Sequence, residues 1–181
     1  GYNAGANITS GWNNTAIGEG ALTWSDTGSG NTAVGRDALT NNFGHNNSVA
    51  VGYSTLTNAA GDENTVAGYY SLWQISGSNN TALGSQIGYS FTSGSNNTLI
   101  GQYSAANMTS GSNNTFIGQN AGANLTDGSN NTVLGYDAQL SSTSISNQIT
   151  LGNSSVNRFR IPGLGVDTNK NWELMTIMGA Y

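Results

Sequence analysis

The residues that could carry out catalysis are few and scattered. His45 is the single histidine, and the nine acidic residues include one adjacent pair, Asp62 and Glu63. A histidine beside a carboxylate could form part of a hydrolytic triad, and two carboxylates could cleave a glycosidic bond. However, His45 lies in an asparagine-rich loop, and adjacent residues of a turn seldom converge on one bond. We therefore predict no enzymatic activity, with a glycosidase assembled from carboxylates of neighbouring chains as the alternative.

The composition offers little for binding metals, nucleic acids or membranes. The chain has no cysteine, which excludes a thiolate metal site. A regular calcium-binding solenoid needs an acidic residue in the turn of every repeat, whereas the turns here carry asparagine and serine. Four Lys+Arg in a chain of net charge -5 cannot build a basic patch, and no run of about 18 apolar residues could span a bilayer. We expect no cofactor, no metal, no nucleic acid and no membrane insertion.

Four aromatic residues are the best candidates for binding a partner. Tyr53, Tyr69, Tyr70 and Trp73 lie close together in the sequence of neighbouring repeats. Aromatic faces suit both sugar stacking and the hot spots of protein interfaces. We therefore take these four as candidate contacts with a receptor. The alternative is that they cover the edges of turns.

All of these residues are carried by a repeat that ends in glycine. Most copies read Asn-Thr, two further residues that are mostly apolar, and Gly, with a spacing of 16 or 17 residues. The closing glycines are Gly1, Gly18, Gly35, Gly52, Gly68, Gly84, Gly101, Gly118, Gly135 and Gly152. Such a short period leaves no room for a stable helix. It predicts an all-β fold, a β-solenoid or β-roll of ~17-residue coils, in which stacking at ~4.8 Å gives a rod on the order of 45 Å long.

The two positions before each closing glycine form two columns along such a rod. The residue directly before it is always apolar, and we call this the aliphatic column. It consists of Ile17, Val34, Val51, Ala67, Leu83, Ile100, Ile117, Leu134 and Leu151. The residue two before it is often alanine, and we call this the alanine-rich column. It consists of Ala16, Ala33, Ala50, Val66, Ala82, Leu99, Phe116, Val133 and Thr150.

A strand that is apolar in both columns should be buried on both of its faces. Adjacent residues of a strand point to opposite faces, so one column can fill the core of its own coil while the other needs a partner. We expect the alanine-rich column to meet the partner chains, because small residues allow close approach around an axis. On this assignment, Ala33→Glu would block assembly.

Two polar columns precede the apolar ones. The asparagine column, four residues before the glycine, consists of Asn14, Asn31, Asn64, Asn80, Asn97, Asn114 and Asn131. We interpret it as a structural ladder of stacked amides, with a polar ligand-binding rank as the alternative. The threonine column, three before the glycine, consists of Thr15, Thr32, Thr65, Thr81, Thr98, Thr115 and Thr132. An exposed array of threonines could match ice, but we expect these to be half-buried.

The repeat pattern stops near Gly152. We divide the chain into a β-roll repeat domain, 1–152, and a C-terminal cap or connector, 153–181. The second segment holds the only proline and three of the four basic residues. An open solenoid end needs to be covered, so this segment is expected to cap the rod.

Two stretches resemble a known family of surface proteins. Asn-Asn-Thr-Ala-Ile-Gly (13–18) and Ser-Val-Ala-Val-Gly (48–52) resemble the head repeats of YadA-like trimeric autotransporter adhesins. That resemblance implies a left-handed parallel β-roll assembled as a homotrimer, with the 48–52 strand near the trimer axis. Those head repeats are commonly a little shorter than 17 residues.

Other stretches are more similar to phage tail-fibre proteins. They are Gly-Tyr-Asn-Ala-Gly (1–5), Ile-Thr-Leu-Gly-Asn-Ser-Ser-Val (149–156) and Arg-Phe-Arg-Ile-Pro-Gly (158–163). In tail fibres such repeats often lead into an intramolecular chaperone of the endosialidase type. The resemblance implies a trimeric fibre component of a virion.

We therefore predict a structural or adhesion segment of a phage tail fibre. It would bind a host-cell receptor, glycan or protein, or act as a spacer. The alternative is the head of a bacterial trimeric adhesin on the cell surface, and a third possibility is an ice-binding solenoid.

Overall fold

The structure, a computed structural model, describes residues 1–161 and 166–169, and its main body is a parallel sheet of nine strands stacked in chain order. The strands are β1 (Thr15–Ile17), β2 (Thr32–Val34), β3 (Val49–Val51), β4 (Thr65–Tyr69), β5 (Thr81–Ser85), β6 (Thr98–Ile100), β7 (Thr115–Ile117), β8 (Thr132–Leu134) and β9 (Ile149–Leu151). No helix occurs in the described ranges. The prediction of an all-β solenoid with one repeat per coil is confirmed.

Each strand pairs with the equivalent residues of the next coil. Thr15 pairs with Thr32 across a 17-residue step, and Thr65 pairs with Thr81 across a 16-residue step. The strand register is therefore the same in long and short coils, and the turns absorb the missing residue. A slip of one residue would exchange the two faces of the sheet, so the constant register keeps each sequence column on one side of the rod.

The alanine-rich column faces the core of its own coil. Ala33, Ala50 and Ala82 are fully buried within a single chain, and so are the larger members Leu99 and Phe116. The prediction that this column meets partner chains is therefore wrong. The aliphatic column points outward instead.

The side chains of the alanine-rich column can be small where a turn residue of the same coil fills the rest of the core. Ala33 occurs in a coil whose following turn places the fully buried Leu39 in the core. In the coil of Phe116, the equivalent turn position is Gly122, where an added Cβ would lie 2.6 Å from a ring carbon of Phe116. In these two coils a small strand residue is matched by a large turn residue and a large strand residue by glycine, which keeps the narrow core densely packed.

The closing glycine of each coil is required by close backbone approach. At Gly101 the φ angle is 117°, and an added Cβ would lie 2.5 Å from the carbonyl carbon and oxygen of Gly118 in the next coil. A side chain at this position would meet both backbone strain and a steric clash. This is the physical reason for the regular glycine spacing of the sequence.

The parallel sheet ends at Leu151, and an antiparallel pair follows it. This pair is β10 (Arg158–Ile161) with β11 (Val166–Asn169). Residues 162–165 and 170–181 lie outside the described residues, and so does part of the Arg-Phe-Arg-Ile-Pro-Gly stretch. The capping role of 153–181 stays a prediction.

Candidate functional site

The outward face of the sheet carries a continuous apolar stripe. Ile17 is 58% exposed, Val51 41%, Leu83 42% and Ile117 39%. The threonine column lies on the same face, two residues earlier on each strand. Its members are half-buried except Thr15 and Thr65, which are exposed. The expectation of half-buried threonines is met for most of the column, but on the outer face rather than in the core.

The asparagine column forms the predicted ladder. The Asn97 side-chain oxygen accepts a hydrogen bond from the backbone N–H of Asn114 at 3.0 Å. The Asn97 amide donates to the carbonyl oxygen of Gly111 at 3.0 Å and to the side-chain oxygen of Asn80 at 2.9 Å. Every polar atom of this buried amide is therefore used by the scaffold. The structural interpretation holds, and the column presents nothing to a ligand.

A second ladder, which we did not predict, runs six residues before each closing glycine. The backbone N–H of Ser78 donates to the hydroxyl of Ser95 at 3.0 Å, and the N–H of Ser95 donates to the hydroxyl of Ser112 at 3.0 Å. The recurrence of serine at this position could have indicated the ladder. Serine is also common in turns, so its recurrence alone did not predict these hydrogen bonds.

His45 and Asp62 come together, but as part of this ladder. The Asp62 carboxylate accepts the backbone N–H of Asn46 at 2.8 Å, in the place that a serine hydroxyl takes elsewhere. The same oxygen lies 3.5 Å from the His45 Nδ1. Glu63 follows with a positive φ of 59° and is exposed. Within 1–161, no Ser or Thr hydroxyl hydrogen bonds to the His45 ring.

The four candidate aromatics separate into two groups. Tyr53, Tyr69 and Tyr70 form one cluster, with ring centroids 4.8 to 5.5 Å apart. The Arg36 guanidinium lies 5.6 Å from the centre of the Tyr53 ring, and hydrogen bonding with Tyr70 raises the pKa of the Tyr53 hydroxyl. Tyr69 ends strand β4 on the outward face. This cluster therefore borders the apolar stripe.

Trp73 belongs to the second group and has a different partner. Its ring lies 6.3 Å from that of Tyr89, at an interplanar angle of 33°. The indole Nε1 donates to the backbone oxygen of Tyr89 at 3.1 Å. Tyr89 was not among the predicted contacts, because it stands 16 residues after Trp73 and only the coil step brings the two together.

Electrostatic features are sparse elsewhere on the rod. Arg36 Nε lies 3.3 Å from an Asp37 carboxylate oxygen and 3.9 Å from one of Glu19. Over the described part of the chain, no three His, Asp or Glu side chains are grouped to hold a metal ion. The same residues contain no helix long and apolar enough to cross a membrane.

Comparison with known proteins identifies no relative: no family model, curated protein or solved structure matches the chain.

Proposed function

We propose that the chain is a non-catalytic segment of a phage tail fibre, assembled as a homotrimer that attaches to or reaches toward a host-cell receptor. The observation that carries this proposal is the apolar stripe along the outer face of the sheet. A continuous row of exposed apolar side chains on one face is typical of an interaction site. Because the stripe follows the whole nine-stranded sheet, its partner must be equally long, and another copy of the same rod fits that requirement.

The energetics favour association along the full rod. Covering the exposed half of an aliphatic side chain is worth about 1 kcal/mol. The column repeats this gain at every strand, and the total rises with rod length. Parallel copies in register would bring Ile100 against Ile100 and Leu83 against Leu83.

A three-fold arrangement suits a stripe that is one residue wide. Each chain would contribute one column at the axis, while its polar neighbours lie at the margin of the contact. One such margin is formed by Gln102 and Gln119, whose side chains hydrogen bond between coils at 3.3 Å. Tyr69, two residues beyond Ala67 on the same face, would border the contact too. The resemblance to tail-fibre and adhesin repeats supports the same stoichiometry.

Immunogold electron microscopy tests the assignment to a fibre. Antibodies raised against the chain should label the tail fibres of phage particles from the source sample. Label confined to bacterial cell surfaces would contradict the phage assignment and support the adhesin head instead.

Ice binding is a second candidate, because the threonine column lies outward rather than in the core. Thr15 and Thr65 are exposed beside the aliphatic column, and a flat array of hydroxyl and methyl groups at strand spacing could match a crystal face. That surface is free only if the chain is monomeric. Thermal hysteresis of the purified chain would support this candidate, and freezing without hysteresis would dismiss it.

A further inference from the structure

The turns that follow strands β4 and β5 carry an aromatic pair at a position where most other coils have threonine or alanine. Trp73 and Tyr89 occupy the position five residues after a closing glycine, and the coils on either side use small residues there. The other members of this position are Ala6, Thr23, Thr40, Thr57, Ala106, Ala123 and, in the last coil, Leu140. Residues that recur in every coil maintain the solenoid. Two neighbouring coils that have an aromatic residue at this position instead indicate a local surface with a different role.

The threonines at this position donate hydrogen bonds to backbone oxygens through their hydroxyls, whereas Trp73 donates one through its indole N–H. The hydroxyl of Thr40 donates to the carbonyl oxygen of Gly20 at 3.0 Å, and that of Thr57 donates to the oxygen of Asp37 at 3.1 Å. The rings of Trp73 and Tyr89 instead lie over the turn, and Tyr89 is 51% exposed. The bond from the indole Nε1 to the Tyr89 oxygen fixes the orientation of the tryptophan. The tryptophan ring is therefore held in place before any ligand binds.

We propose that Trp73 and Tyr89 form a stacking platform for a neutral glycan, as the receptor contact of the fibre proposed above. The rings are 6.3 Å apart and tilted by 33°, so they contribute to one aromatic surface on which a sugar ring can stack. Aromatic side chains with polar neighbours suit this mode of binding.

Polar groups beside the platform are available to sugar hydroxyls. Gln74 is exposed, and its side chain makes no hydrogen bond within the described part of the protein. Asn58, aligned with Gln74 in the preceding coil, accepts a bond from Asn41 at 2.6 Å through its side-chain oxygen. Its amide nitrogen has no bond to the rest of 1–161. These groups add orientation to the contact made by the rings.

Charge and size select a neutral glycan over other ligands. From 53 to 101 the chain has no basic residue, and its only acidic residues are Asp62 and Glu63. Nothing near the platform would neutralise a sialic acid or a sulfate. A stable protein interface buries about 800 Å² on each partner, which is far more than two rings offer.

The platform would stay accessible in the trimer. Strands β4 and β5 end at Tyr69 and Ser85, so Trp73 and Tyr89 lie beyond the strands and off the face that carries the aliphatic column. The Tyr53, Tyr69 and Tyr70 cluster, by contrast, borders that face. The two aromatic groups are therefore assigned different partners, a sugar for one and the neighbouring chain for the other.

A glycan array tests this proposal with variants built from the repeat itself. The intact chain is applied to neutral oligosaccharides of glucose, galactose, mannose and N-acetylglucosamine, with sialylated and sulfated glycans on the same surface. Trp73→Thr restores the residue found at Thr57, and Tyr89→Ala restores that of Ala106. Trp24→Asn introduces the residue that the next coil has at Asn41. It removes an exposed tryptophan elsewhere and serves as the matched control.

We expect binding to neutral glycans that weakens about tenfold in each platform variant, the equivalent of about 1.4 kcal/mol, and that is unchanged in Trp24→Asn. Tryptophan fluorescence should shift on binding in the unmodified chain and in Trp24→Asn. Absence of neutral-glycan binding, binding confined to anionic glycans, or full binding by both platform variants would overturn the proposal. If the antibodies label tail fibres but the glycan array gives one of these negative results, the platform proposal fails and the assignment to a tail fibre stands.

Discussion

The two faces of the parallel sheet use similar residues for different purposes. On the inner face, the alanine-rich column ranges from Ala33 to Phe116, and both extremes are fully buried. In the coils of Ala33 and Phe116, the size of this residue follows the volume that Leu39 and Gly122 leave free. On the outer face, the aliphatic column is nearly uniform although Val51 and Leu83 are about two-fifths exposed in one chain. The inner face is thus determined by its own coil, whereas in the proposed assembly the outer face is determined by neighbouring copies of the chain.

The largest expected effect comes from placing a charge on the inner face. Ala33→Glu should destabilise the fold by several kcal/mol, because an unpaired buried carboxylate is costly. Circular dichroism and thermal unfolding of the purified variant measure this. Val51→Glu is the matched outer-face variant, which should keep the β-sheet spectrum and lose assembly. If Ala33→Glu unfolded no more readily than Val51→Glu, the distinction between the faces would be refuted.

Removal of one step of the amide ladder should have an intermediate effect. In Asn97→Ala the buried N–H of Asn114 and the carbonyl of Gly111 lose their partner. A buried polar group left unpaired costs about 1–3 kcal/mol. Denaturant unfolding measures the loss, and Gln74→Ala, which shortens an exposed side chain that makes no hydrogen bond within the described residues, is the control. Equal stability of the two variants would show that the ladder contributes nothing.

The smallest expected effect concerns the tyrosine cluster beside the outer face. Hydrogen bonding with Tyr70 raises the pKa of Tyr53, so Tyr70→Phe should bring that pKa back toward the ordinary value of about 10. A pKa raised by folding favours the protonated phenol. This contribution to stability is complete below the unfolded pKa and is lost as the pH rises through the folded one. Ultraviolet titration of the phenolates measures the shift, and an unchanged titration curve would contradict the contact.

Much of the fold could be predicted from the sequence, because each coil repeats the same physical constraints. The glycine spacing follows from close approach at positions such as Gly101, and the asparagine ladder follows from an amide that spans one coil step. Which of the two apolar columns faces the core, and which faces outward, could not be predicted. It depends on turn residues such as Leu39 and Gly122, whose inward placement becomes evident only in three dimensions.

The candidate site was predicted only in part, for a similar reason. Tyr69 and Trp73 are four residues apart in the chain, but the buried Leu72, with a φ of 45°, turns the backbone between them. Their proximity in the sequence therefore predicted one aromatic cluster, whereas the fold forms two separate groups. Tyr89 was missed because its partner is a full coil away.

The central claim is that two further copies of this chain cover the aliphatic column. Multi-angle light scattering of the unmodified chain tests it directly. We expect a particle of three times the 18.6 kDa of a single chain, and we expect Val51→Glu to have the mass of one chain. A well-folded particle of 18.6 kDa for the unmodified chain would contradict it.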